Sequence, residues 1–265
     1  MNKRFYEIKQ IAKGKLSRNF GSALFATLVP AIIYGIIGGI VGFIFGIFSP
    51  NFGDLVDALI TGYGTFISIS LVLLLFKGKT KFTSEDFFFY DDRVLQYFFL
   101  SLILFLLGFT VFIPFYNQIQ SIAEIPARLF NNSDYLNTLI ESITPVQIVG
   151  SLIASIISIY IGIRLLFAPY IIVDQNLHVI EAIKKSWAYT KGRFWYLFIF
   201  PFSFILWYLL IIPTLFLILL YLIPYIALSY MALYIEFKKS YGDEDIIVEE
   251  PKEYVEVDIL DDDIY

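Results

Sequence analysis

Apolar residues in this chain gather into runs too long for a strand or an ordinary core helix. The runs cover roughly Phe20–Phe48, Leu55–Phe76, Val94–Phe115, Pro145–Phe167, Phe194–Ile212 and Pro213–Tyr234. A helix needs about 20 apolar residues to cross a hydrocarbon core, at about 1.5 Å rise per residue. Each run meets or approaches that length, so the pattern predicts six transmembrane helices. The last two come from one stretch, Phe194–Glu236, of 43 residues. As a single helix it would reach about 64 Å, twice a core of about 30 Å. It must fold back. Pro213 has no N–H and biases Ile212 away from helix, so the turn is expected there.

The polar segments between the runs differ in charge. Lys and Arg gather on the cytoplasmic side of short membrane loops. Here Lys3, Arg4, Lys9, Lys13, Lys15 and Arg18 precede the first run. Lys77, Lys79, Lys81 and Arg93 follow the second, Lys184, Lys185, Lys191 and Arg193 follow the fourth, and Lys238 and Lys239 follow the sixth. The alternate connections, Ser49–Asp54, Tyr116–Thr144 and the turn near Pro213, hold Arg128 as their sole basic residue. This asymmetry predicts both termini in the cytoplasm of a cell-membrane protein.

Two basic segments have helical apolar spacing. Ile8, Ile11 and Leu16 form one stripe, and Val179, Ile180, Ile183 and Trp187 form another. Such helices lie in the membrane interface. Ile8, Ile11, Ile183 and Trp187 are expected to enter the acyl boundary. Lys9, Lys13, Arg18, Arg164, Lys184, Lys185, Lys191 and Arg193 are expected at lipid headgroups. With Ser84–Tyr97 as a third leading segment, the chain reads either as three units of interfacial helix plus helical hairpin, or as basic loops alike only because each precedes a span.

Composition agrees with a membrane protein: 58% hydrophobic and 16% charged, where a soluble domain has about 25% charged. The fold class is therefore all-α, a polytopic bundle over residues 1–240. Residues 241–265 form an acidic tail, with 11 acidic residues against one lysine in Asp243–Tyr265. The tail reads as a solvating disordered end, or as a docking segment through Ile246–Val248 and Tyr254–Val257. The net charge of −5 reflects this segregation and names no partner. No cysteine is present, which excludes disulfides and thiolate chemistry. The first apolar run is longer than a signal-peptide core and reads as a retained span.

The stretches Ile8-Lys9…Ala12-Lys13…Leu16…Asn19-Phe20, Ala168-Pro169-Tyr170…Asp174, Glu181-Ala182-Ile183…Ser186…Lys191-Gly192, Phe204-Ile205-Leu206-Trp207 and Pro224-Tyr225…Tyr234 carry a resemblance. Together they resemble the integral-membrane family "domain of unknown function 975", found mainly in Gram-positive bacteria, over most of residues 5–237. The resemblance implies a six-span bacterial topology and supplies no activity or catalytic residue. The loop Tyr116–Thr144 is longer than the family leads one to expect. The segment around Ser186-Trp187…Lys191-Gly192…Phe194-Trp195 is also similar, more loosely, to other six-span bacterial families.

Candidate sites are few. Gly38, Gly42 and Gly46 make a small-residue ridge on the first span, with Gly35 and Gly39 beside it. Such ridges pack helices closely, within the chain or between copies. Ser151, Ser155, Ser158 and Gly162 share one face of the fourth span, which suits close packing or a polar pathway lining. Arg164 lies near the cytoplasmic end of that span, where it can snorkel, with Asp174 and Glu181 as expected partners. Asp54 and Asp57, at the outer end of the second span, suit either a cation site or the cap of a helix N-terminus, with the cap favoured. Asn131-Asn132-Ser133 matches the glycosylation pattern, which carries no weight in a bacterium. The single histidine, His178, makes no metal site, and no nucleotide-binding loop, nucleophile elbow or zinc-protease motif occurs.

These features favour a protein that engages membrane lipids, a membrane-protein partner or a second copy of itself. Neither nucleic acid nor a cofactor is expected. The competing class is a transporter for a small or amphipathic solute. It is disfavoured because no acidic residue lies at mid-membrane. An intramembrane enzyme ranks last, because nucleophile, base and metal constellations are missing.

Overall fold

A computed structural model of the protein describes residues 5–87, 92–110 and 144–243. All regular elements among these residues are helical. Helix α1 (Phe5–Arg18) is followed after Asn19 by α2 (Phe20–Gly46), and α3 (Pro50–Phe76) returns beside it. A single 3-10 turn, Ser84–Phe87, leads towards α4 (Asp92–Phe109). Then come α5 (Pro145–Arg164), α6 (Ala168–Gln175), α7 (Val179–Thr190) and α8 (Phe194–Ile199). A 3-10 stretch over Phe200–Phe204 joins α8 to α9 (Ile205–Leu209), and α10 is Leu219–Tyr241. The expected loop Tyr116–Thr144 lies outside the described residues except for Thr144, and the acidic tail lies outside them beyond Asp243.

Local chemistry sets the boundaries. Pro50 and Pro145 occupy first-turn positions, where the missing N–H costs nothing. Thr144 and Gln147 form a reciprocal capping box at the start of α5. Asn176, at φ 52°, ends α6, and Gly242, at φ 97°, ends α10. Both are left-handed positions that these residue types tolerate best.

Four helical stretches are long and apolar enough to cross a membrane: Phe20–Gly46, Phe52–Phe76, Pro145–Gln175 and Leu219–Tyr241. A fifth candidate is the pair Val179–Thr190 and Phe194–Leu209, bent by 95°, and Arg93–Phe109 is a shorter apolar helix. The expected span Phe194–Ile212 is thus broken into two short helices and a 3-10 stretch. Pro201 sits in the first turn of that stretch. The reversal is centred on Leu215 and Phe216, at φ 48° and 66°, rather than on Pro213. Each left-handed non-glycine residue costs about 1–2 kcal/mol.

The core gathers at one end of the long helices. Ile8, Ala12 and Leu16 of α1 are buried with Ala23 and Ala26 of α2 and Phe66, Leu71 and Leu75 of α3. Phe167, Ile171 and Ile172 join them, as do Leu228, Leu233 and Phe237 of α10. The far half of α2 contributes little: Ile32, Ile36, Ile40, Phe43 and Ile47 are all exposed. Only 17% of the apolar window of α2 is buried inside the protein, against 56% for α10, and α5 has no buried residue, so α2 and α5 leave the most apolar surface uncovered.

Two expectations are corrected here. The apolar face of α1 does not turn to lipid: Ile8 is fully buried, and Ile11 packs against the same core. Ile183 is likewise packed on the core, while Trp187 remains exposed. The last two runs fold back on each other beside α1, and α10 also packs against α2. The two runs form a hairpin held by an aromatic ladder of Tyr196–Phe237, Phe200–Tyr230, Phe204–Tyr225 and Trp207–Tyr221. At its open end Phe5 touches Tyr196 and Phe200. Midway, Lys9 donates to the Ser203 carbonyl and lies 4.0 Å from the Phe204 ring centroid. At the tip, Phe20 shares a groove with Pro213, Leu217 and Tyr221. The hairpin therefore runs alongside α1, and its tip lies where the first long span begins.

Candidate functional site

The most deeply enclosed charges meet where α3, α6 and α10 end. The side chains of Asp174 and Lys238 are 2% and 4% exposed. Lys238 Nζ donates to Asp174 Oδ2 at 2.8 Å, and the Tyr234 hydroxyl donates to the same oxygen at 2.9 Å. Lys77 Nζ, much more exposed, reaches Oδ1 at 3.2 Å. Proximity along the chain pairs Asp174 with Arg164, ten residues away, but the fold brings Lys238 to it instead. Next to this cluster, Gln175 donates to the Tyr189 and Tyr234 hydroxyls and accepts from Lys185 at 2.6 Å. Lys185 also pairs with Asp243 at 2.6 Å, and Tyr189 donates to the same carboxylate. Three donors, two of them ammonium groups, converge on the Asp174 carboxylate. It neutralises the buried Lys238 ammonium.

Hydrogen bonds from Lys185 and then Tyr189 hold the Asp243 carboxyl below the usual carboxylate range. A lowered folded-state value adds stability that is complete above the unfolded pKa and lost as pH falls through the folded one. Acidification below the ordinary carboxylate range should therefore loosen the end of α10. Hydrogen exchange at Ser240–Gly242 should rise there in the native chain. Asp243→Asn should show that faster exchange already at neutral pH and lose the acid step.

Arg164, on the last turn of α5, has neither expected carboxylate within ion-pair range. Its Nη1 donates to Thr190 at 3.4 Å and its Nη2 to the Tyr160 hydroxyl at 3.2 Å. The guanidinium carbon lies 5.2 and 5.3 Å from the ring centroids of Tyr160 and Trp187. Nε is buried and has no partner. Ser186, beneath it, donates to the Arg164 carbonyl at 2.7 Å and fixes α7 against the end of α5.

Asp54 and Asp57 do not cap α3. Ser49 is the cap position, Pro50 opens the helix, and both carboxylates fall beyond the first turn. They line a groove of about 480 Å³ with Gly39, Gly42, Phe43, Gly46, Ile47 and Gly53. The glycine ridge lies against α3. A Cβ on Gly38 would stand 2.6 Å from Asp57 Oδ1, and one on Gly42 would stand 2.8 Å from Asp57 Cβ. Gly46 approaches Gly53, whereas a Cβ added to Gly35 or Gly39 would meet nothing within 4 Å, so these two pack on no helix here. On α5, Ser158 donates to the Leu107 carbonyl of α4 at 3.2 Å. Ser151 is partnered too. Ser155 is half-buried, and Gly162 faces open space.

The basic residues assigned to headgroups divide into two groups. Lys9, Lys185 and Arg193 are bound within the protein, the last to Ser240 at 2.7 Å. Burial also pushes the Lys9 ammonium pKa down. Lys13, Arg18, Lys184 and Lys191 are exposed. His178 is the exposed cap residue of α7. Among the described residues, no group of three or more metal-ligating side chains is close enough to hold an ion.

No curated protein and no solved structure matches the chain. The model of one family spans residues 1–240, the helical region without the acidic tail. The chain belongs to that family, described as Protein of unknown function (DUF975).

Proposed function

We propose that this is a multi-pass cell-membrane protein that works by contact with lipid or with another membrane protein, not by covalent chemistry. The observation that carries the reading is the separation of its surfaces. Exposed isoleucine and phenylalanine cover the far half of α2 and most of α5, while charges gather and neutralise one another at the opposite end. Soluble monomers rarely leave contiguous apolar surface beyond a few hundred Å². Lipid, or a partner span against the open Gly35 and Gly39 face, would cover it.

In this reading α2, α3, α4 and α5 cross the bilayer, and both termini are cytoplasmic. The hairpin of α8 to α10 stays with α1 at the cytoplasmic face. Its placement beside α1 is the reason: a spanning hairpin would draw Lys9 and Lys13 towards the hydrocarbon, at a cost of about 2.5–3.5 kcal/mol for each charge at the centre. Its tip, with Ile212 79% and Leu215 80% exposed, suits shallow insertion into the acyl boundary.

The chain has no cysteine, so single-cysteine labelling gives a clean test. Cysteine at Asn51 or Asn131 should react with an impermeant maleimide from outside intact cells. Cysteine at Asn19, Lys79, Lys184, Leu215 or Lys239 should react only in inverted vesicles. Outside labelling at Leu215 would restore the six-span arrangement. Cytoplasmic labelling at Asn131 would overturn the topology altogether.

A further inference from the structure

We propose that Arg164 and the exposed face of α7 bind the phosphate of an anionic phospholipid headgroup. The inference rests on the membrane reading above and assigns the lipid class and the site. A guanidinium carries five N–H donors. Arg164 uses two of them, both on neutral hydroxyls at 3.2 Å or more, and leaves a buried Nε–H without an acceptor. It has no carboxylate partner among the described residues, in contrast to Lys238 and Lys185. An arginine fork held this way matches the paired oxygens of a phosphate.

The neighbouring surface adds charge and orientation. Trp187, close to the Arg164 guanidinium, shares its helix face with Lys184, three residues before it, and Lys191 is the residue at which α7 ends. Both lysines are exposed and unpaired among the described residues, and Glu181 forms no ion pair with Lys184. Arg164, Lys184 and Lys191 thus gather at this end of α7, and none of the three is in an ion pair among the described residues.

The apolar side points to a lipid rather than a free anion. Tyr160, Ile156 and Ile153 lie on the α5 face that leads away from Arg164, and all are exposed. They give an acyl chain a track that begins at the phosphate site. Trp195, 70% exposed, stands beside Phe194, which touches Tyr160. Tryptophan and tyrosine at this position fit headgroup depth.

The test is native mass spectrometry of the full chain in mild detergent, titrated with phosphatidylglycerol, phosphatidylcholine or inorganic phosphate. One phosphatidylglycerol should be retained at concentrations where neither alternative is. Arg164→Gln should weaken that retention about tenfold or more, as expected for loss of a charge-assisted pair. Lys184→Gln with Lys191→Gln should reduce the preference for phosphatidylglycerol over phosphatidylcholine. These lysines are surface residues, so this variant keeps the test open if Arg164→Gln does not fold. Unchanged retention in a folded Arg164→Gln protein, equal binding of both lipids, or saturation by inorganic phosphate alone would overturn the proposal, as would an unchanged preference in the lysine variant. Extraction of the native chain from membranes by alkali would instead defeat the membrane reading. A chain that resists alkali yet shows no lipid selectivity would defeat only the lipid site.

Discussion

Asp174→Ala should destabilise the protein by about 3–5 kcal/mol, the usual cost of breaking one side of a buried ion pair. The reason is the lysine left behind. Lys238 is 4% exposed, and Asp174 is its ion-pair partner at 2.8 Å among the described residues. Without the carboxylate, a buried ammonium and the Tyr234 hydroxyl both lose their acceptor. Asp174→Asn should recover the shape and part of the hydrogen bonding but not the charge. Lys77→Ala should cost no more than about 1 kcal/mol, because the lysine side chain is 43% exposed and solvent screens it. Combining Asp174→Ala with Lys238→Met should restore much of the loss, since a well-packed apolar replacement of a buried pair is often neutral. Unfolding of the native chain, the two single variants and the double variant in one detergent closes the cycle. Strictly additive losses would show that Asp174 and Lys238 act independently and that the network is not a unit.

What the sequence displays is local, and local features transferred well to the fold. The apolar runs mark α2, α3 and α5, and Thr144-Pro145…Gln147 opens α5 where the fourth run starts. The distant relations were not legible. Arg164 and Asp174 are close along the chain, so charge and proximity suggest a pair. The partner that wins, Lys238, is 64 residues on and is brought in by the fold of α10. The stripe of Ile8, Ala12 and Leu16 shows that α1 has an apolar face but not what covers it. A bilayer and the aromatic hairpin satisfy the same pattern. For the same reason 43 apolar residues, Phe194–Glu236, predict a fold-back without saying whether it crosses a membrane or lies along α1. Small-residue spacing singles out Gly38, Gly42 and Gly46, yet Gly53, on which the closest approach depends, belongs to no repeat and carries no such signal.

Gly53→Ala should be among the most damaging single-methyl additions to the protein. Its Cβ would stand 2.5 Å from the Gly42 carbonyl oxygen, 2.7 Å from Gly46 Cα and 2.8 Å from Gly46 N. All three atoms are backbone, so no side chain can rotate away, and α2 and α3 must separate. Overpacking of this kind costs about 1–3 kcal/mol, and more when the backbone itself must move. Gly42→Ala meets Asp57 Cβ at 2.8 Å and the Gly53 carbonyl at 3.0 Å, so it should cost somewhat less. Gly38→Ala meets a carboxylate oxygen that can swing aside and should cost less again. Replacing Gly38 and Gly42 together by Leu should cost several times the alanine changes, because neither larger side chain has anywhere to go between the helices. Gly35→Ala and Gly39→Ala add a methyl to open space and should gain up to about 1 kcal/mol from helix propensity. The predicted order of damage is therefore Gly53, Gly42, Gly38, and then no damage at Gly39 and Gly35, read as unfolding temperature in detergent. An unaffected Gly53→Ala protein would mean that the two spans do not approach this closely. A destabilised Gly39→Ala protein, with a smaller detergent-bound particle, would mean that a second chain occupies the face that is open in the single chain.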